Sequence, residues 1–218
     1  TGFTLSDDYF TTLAFVDVKP DGEREFSFAR NHGADKMLEK SDVPLELIRS
    51  SGILHIGSIS LTDEPARSTT LFAVQKAKEA GCVISYDPNY RASLWKSEEL
   101  AKKQMRSMIP HADLMKISEE ETQLLTDEND YQKAANVLMQ SGVKIVVVTL
   151  GKLGAYVQTK QGGTLVKGFR NKAADATGAG DAFWGGCLFQ FSRCGKAPET
   201  VTTEEAAEFA DFGNAVAS

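Results

Sequence analysis

The chain has 218 residues, a formal net charge of −6 and three cysteines. That length builds one large domain, or a domain with an appendage. The acidic balance argues against a nucleic-acid surface, which needs a basic footprint, and no apolar run reaches the roughly 18 residues of a membrane span.

The opening segment lacks the basic and apolar regions of a secretory signal. Both ends break off abruptly, which suggests part of a longer chain. Cys82, Cys187 and Cys194 show no CxxC spacing and read as reduced thiols of a cytoplasmic protein, not as a zinc site. His32, His55 and His111 are scattered and read as structural.

In chain order, "TTLAFVDV", a turn at "KPDG" and "EREFSFAR" read as a hairpin. Alternation puts Arg24, Phe26, Phe28 and Arg30 on one face of its second strand. Arginines mixed with phenylalanines suit an edge stacked on another subunit, or a cover over a polar ligand. From residue 52 onward, strand and helix patterns alternate. "ILHIGSISL" reads as a short strand, and "TTLFAVQKAKEAG" as a helix with Leu71, Val74 and Ala77 at helical spacing. "CVISYDP" is a strand halted by Pro88, a polar helix spans 97–108, and "ADLMKIS" is the next strand. "DYQKAANVLMQSG" is a helix whose stripe carries Tyr131, Ala134, Ala135 and Leu138. "VKIVVVTLG", apolar and β-branched, reads as a central parallel strand. "AYVQTK" and "GTLVKGF" suit an antiparallel hairpin. Two helices follow, one from a Gly-rich turn and one from near Thr203.

This order predicts an α/β layered fold with a mainly parallel sheet. Polar residues gather where successive strands end: Asp87 and Asn89, Ser118 and Glu121, Thr149 and Gly151. Ligands of open parallel sheets bind outside those carboxyl ends, although loops there are also polar because water covers them.

The Gly-rich turn, "AADATGAGDAFWGG", raises the question of chemistry. It is neither a Walker loop nor a dinucleotide fingerprint, since Phe183 stands where the latter needs glycine. Bare amides that open a helix still stabilise an anion, and small residues let a phosphate approach them closely. Asp181 is then either a plain helix cap or a base beside that anion. Phosphoryl transfer needs such a positioned carboxylate more than it needs covalent help.

Within that turn, "DATGAGDAF" resembles the C-terminal signature of the ribokinase-like, or PfkB, sugar kinases, with Ala176 where a Thr is usual. "DPNYRASLW", "KISEEETQLL", "VVVTLGKLGAYV" and "FGNAVAS" resemble further segments of that family, in its order. The resemblance implies a ribokinase-like α/β/α fold with a small β lid. Residues 1–31 would belong to the lid and 32–218 to the nucleotide-binding core, incomplete at both ends.

The resemblance also implies an ATP-dependent sugar kinase that uses Mg²⁺ and, as in some members, K⁺. Asp181 would be the base for the sugar hydroxyl, with Gly178, Ala179 and Gly180 as the anion hole. Glu121 would organise Mg²⁺ through water, unless it is one more solvated member of an acidic run. Ser118, Thr149, Gly151, Gly154 and Asn214 would line the nucleotide, though the two glycines also fit a plain turn. Arg91 would approach substrate or phosphate, or form a structural salt bridge. Phe28 and Arg30 would meet the sugar from the lid, which in many members also makes a dimer contact. The segments "TLAFV", "DGEREFSF" and "HIGSISL" are most like fructokinases, which implies fructose as substrate. 2-Keto-3-deoxygluconate and ribose are the family's other candidates, and a catalytically silent binding protein is a reading of a different class.

Overall fold

The computed structural model of the chain describes residues 2–18, 24–169 and 177–218. The turn expected at 19–22, the Arg24 side chain and Ala176 lie outside the described residues.

Two strands stand apart as the hairpin. β1 (Leu13–Val18) and β2 (Arg24–Ala29) pair antiparallel, with Ala14 opposite Phe28 and Val16 opposite Phe26. Opposed residues share a face, so both phenylalanines lie on one side, and their rings stack 6.2 Å apart.

The main sheet runs β3 (Ile53–Ile56), β4 (Val83–Tyr86), β5 (Leu114–Ser118), β6 (Ile145–Thr149), β7 (Gly154–Thr159) and β8 (Gly162–Lys167), in that spatial order. The pairings from β3 to β6 are parallel, and those of β7 are antiparallel on both sides. β3 is shorter than the apolar run that suggested it. After Ile56 the chain leaves the sheet: the Ser58 amide bonds the Pro88 carbonyl at 3.1 Å, and a 3-10 turn covers Ile59–Leu61.

Among the described residues, seven α-helices fill the layers: α1 (Leu45–Arg49), α2 (Ala66–Glu79), α3 (Glu98–Met108), α4 (Thr122–Thr126), α5 (Tyr131–Gln140), α6 (Ala179–Cys194) and α7 (Thr203–Val216). α2 starts three residues before the segment that predicted it. Its buried stripe runs through Thr70, Val74 and Ala77, while Leu71 stays 40% exposed. Side-chain caps open α3, α5 and α7 at Ser97, Asp130 and Thr202, each accepting from a first-turn amide.

Strand alternation divides the core in two. Met115, Ile117, Val146 and Val148 pack with Met105 and Met108 of α3 and Leu138 of α5. Leu114, Ile145 and Val147 face the other way, onto Phe183 and Trp184 of α6 and Ala206 and Ala210 of α7. Each such buried Val, Leu, Ile, Met or Phe side chain contributes about 1.5–3 kcal/mol. The second face changes character along the strands. Ile53, Val83 and Leu114 join its apolar core, but two residues further the same face carries His55, Ser85 and Lys116. No helix among the described residues is long and apolar enough to cross a membrane.

Candidate active site

That polar row meets the start of α6. Gly178 caps the helix at φ +77°, a left-handed conformation that glycine adopts without strain. The Ala182 amide bonds back to the Gly178 carbonyl at 2.8 Å and so belongs to the helical ladder. The Ala179 and Gly180 amides therefore precede the ladder, as helix-opening donors do. Asp181 is not the cap. It sits within the first turn, exposed, on an open cavity of about 320 Å³.

The cavity lies beyond the carboxyl ends of β3 and β4, where His55, Ser58, Asp87 and Asn89 line it with Asp35 and Asp181. Beneath it, Lys116 is buried and donates from Nζ to Asp87 Oδ2 at 2.8 Å. Nζ also reaches the helix start: a Cβ added to Gly180 would lie 3.2 Å from it. Asp87 Oδ1 and Ser58 Oγ are buried without a hydrogen-bond partner. Burial pushes the Asp87 carboxyl up to about 6, against the pull of Lys116. Helix-opening amides, an exposed carboxylate and a buried ammonium thus meet beyond the carboxyl ends of the strands, a set of groups that phosphoryl transfer can use.

A sequence profile described as "pfkB family carbohydrate kinase" matches residues 4–218. The chain belongs to the pfkB family. It is 46% identical over 179 residues to Fructokinase-2 of Solanum lycopersicum, which covers 82% of this chain and 55% of the relative. The chain thus spans about half the length of the curated relatives it matches. Among solved structures, the fructokinase of Xylella fastidiosa with bound ATP superposes with a TM-score of 0.87 at 29% identity, covering 97% of this chain and 67% of that one. The Vibrio cholerae fructokinase in its fructose, ADP and calcium ion bound form gives 0.79 at 34% identity, covering 91% and 64%. These superpositions bear out the ribokinase-like layered fold.

Of the residues expected around the nucleotide, Ser118 and Thr149 stand opposite each other at parallel strand ends. Thr149 Oγ1 donates weakly to the Ile117 carbonyl, at 3.4 Å. Gly154 has φ +106°, and an added Cβ would lie 2.1 Å from the Val166 carbonyl oxygen, so the β7–β8 hairpin itself demands glycine there. Gly151 turns the preceding loop at φ +54°. Asn214 donates to the Lys167 carbonyl at 3.3 Å and ties α7 to β8.

Glu121 is not a solvated member of its acidic run. It is 6% exposed, whereas Glu119 and Glu120 face water. Its two oxygens accept from the Tyr90 amide at 2.6 Å and the Ser118 amide at 2.8 Å, clamping two strand-end loops together. Among the described residues no three His, Cys, Asp or Glu side chains converge as a metal site. Glu121→Gln must turn an amide donor against one of the two amides. It should lose about 1–3 kcal/mol, while Glu119→Gln melts like the parent. Matching melting curves for the two variants would remove the clamp.

Three residues expected at the substrate, Arg30, Arg91 and Phe28, are not among the residues that line the cavity. Arg30 does not line the cavity: it is 8% exposed and donates to Asp35 Oδ2 at 2.7 Å, Thr62 Oγ1 at 2.7 Å and the Ile59 carbonyl at 3.0 Å. Its work is to seat Asp35 at the cavity edge and to pin the lid to the 59–62 turn. Arg91 places its guanidinium 5.3 Å above the Phe26 ring and donates to the Tyr90 carbonyl. This cation–π contact joins the "DPNYR" loop to the lid. Phe28 stacks on Phe26 and is likewise not among the cavity's lining residues. Asp35, His55, Ser58 and Lys116 were not anticipated. Only Lys116 left a trace in the sequence, as a lysine inside the apolar strand "LMKIS".

Proposed function

We propose that this chain acts as an ATP-dependent fructokinase, transferring the terminal phosphoryl group of ATP to the primary hydroxyl of fructose to give fructose 6-phosphate and ADP. The observation that carries it is Asp181: an exposed carboxylate in the first turn of α6, beside the helix-opening amides and on the strand-end cavity. The relative named Fructokinase-2 and the neighbour that holds fructose and ADP support the choice of sugar.

In this reading Asp181 accepts the proton of the attacking hydroxyl. The Ala179 and Gly180 amides and the Lys116 ammonium face the charge on the group in transfer. Ser118, Thr149, Gly151 and Asn214 border the nucleotide, and Glu121 holds the loops around it. Bound Mg²⁺ would neutralise the phosphate oxygens. Dimerisation through the lid belongs to the same proposal, since Leu13 and Phe15 are 52% and 57% exposed on the face away from Phe26 and Phe28. So does a cytoplasmic site of action, which fits three free thiols.

The test is a panel of fructose, ribose and 2-keto-3-deoxygluconate, assayed for sugar-dependent ADP release by the full chain. Fructose is expected to be turned over fastest. ATP turnover unaffected by any sugar would favour a silent binding protein instead.

Arg30→Ala should act indirectly. Removing the charged hydrogen bonds to Asp35 and Thr62 should cost about 1.5–3 kcal/mol. With Asp35 released, the fructose KM should rise while the ATP KM holds. Melting curves read the first effect and steady-state kinetics the second. An unchanged melting temperature would mean that the Arg30 contacts do not anchor the lid.

A further inference from the structure

One polar chain at the site has no part in the steps above. His55 Nδ1 lies 3.0 Å from Ser85 Oγ, its partner in register on β4. Trp184 Nε1 donates to that same hydroxyl at 2.9 Å. Ser85 and Trp184 are both buried. An indole N–H can only donate, so Ser85 Oγ accepts on that side. The serine proton then needs an acceptor of its own, and His55 Nδ1 is the one the structure supplies. A proton on Nδ1 would strand the buried serine hydroxyl, a cost that buried polar groups rarely bear.

We infer that Trp184 and Ser85 lock His55 as the neutral tautomer protonated on Nε2, a fixed N–H donor aimed into the cavity beside Asp181, where it binds a hydroxyl oxygen of the sugar. The sugar contact rests on the fructokinase reading; the tautomer does not.

Geometry gives the relay its direction. Nδ1 is turned to the buried Ser85, while His55 as a residue is exposed and lines the cavity. Trp184 follows Asp181 by three residues on α6, so one helix face carries both the base and the origin of the relay. Three influences act on the ring's charge: desolvation of its inner edge, the Asp181 carboxylate and the Lys116 ammonium. Asp181 favours the cation, but desolvation outweighs it and Lys116 opposes it, which holds the imidazole below its ordinary pKa. Neutrality matters for the base. An imidazolium would pair with Asp181 and weaken it, whereas a neutral N–H orients a hydroxyl and leaves the carboxylate free.

The full chain, labelled uniformly with ¹⁵N, reports the tautomer directly through long-range proton–nitrogen correlations of the His55 ring near neutral pH. A single tautomer protonated on Nε2 is expected, and in Trp184→Phe the two nitrogens should move toward averaging. A proton on Nδ1, or averaging in the parent protein, overturns the lock. In kinetics, His55→Phe should lower kcat/KM for fructose about tenfold, the scale of one hydrogen bond, through KM and without change in the ATP KM. His55→Gln, which restores an N–H donor, should recover most of that loss. An unchanged fructose KM in His55→Phe overturns the sugar contact. A locked tautomer in a protein that turns over no sugar would leave the lock standing and the kinase reading fallen.

Discussion

Asp181→Asn is expected to cut turnover by roughly a hundredfold to ten-thousandfold, the scale of a lost general base. The competing role for a helix-start Asp is stabilisation, and its size can be bounded. Gly178 holds the cap position, so what Asp181 gives the fold is its favourable charge near the helix start, about 0.3–1 kcal/mol. That is a melting shift of a few degrees at most. The anion cradle proposed above is made of backbone amides, which the substitution does not touch, so the ATP KM should hold. The measurement is kcat at saturating ATP and fructose beside a thermal melt. A variant that keeps its turnover while losing several degrees would make Asp181 a structural residue and remove the base.

The residues that sequence reasoning found and those it missed differ in a physical way. The unbroken apolar run of "VKIVVVTLG" and the stripe of "DYQKAANVLMQSG" are local patterns, and both became buried in the core. The Gly-rich turn is local too, because a left-handed glycine and the amides after it occupy adjacent positions. Arg30 is the opposite case. Alternation assigned its strand face, but its partners stand 5, 29 and 32 residues away, and only the tertiary fold shows that the guanidinium turns onto them. Glu121 reads as one of three equivalent acids until Tyr90 arrives from another loop. His55 and Lys116 depend on which sheet face meets α6, and on how far along that face its apolar core extends. Neither quantity is carried by a single segment. Lys116 was still the most legible of the misses, since an unpaired ammonium inside an apolar strand is too costly to be accidental.

That cost sets the other large effect. Lys116→Met should destabilise the protein by about 3–5 kcal/mol at pH 8, because it leaves the Asp87 carboxylate buried without its counter-charge. For a chain of this size, that is on the order of 10 °C in Tm. The penalty should shrink in acid, and the direction follows from Asp87. Its carboxyl titrates near 6 in the folded protein against an ordinary 3.8, so the folded state holds the proton more tightly than the unfolded chain. The stability gained from that proton is full below about 3.8 and is lost as pH rises through about 6. At pH 5 the parent Asp87 is already mostly protonated, and Lys116 has little charge to neutralise. Without Lys116 the carboxyl rises further, so the variant sheds stability over a wider range toward alkaline pH. Adding Asp87→Asn removes the stranded charge, and the double variant should melt above Lys116→Met at pH 8. Melting curves of the parent and both variants at pH 5 and pH 8 decide the matter. Equal penalties at the two pH values would show that the lysine holds the strand by packing its methylene stem, with Asp87 no more than a neighbour.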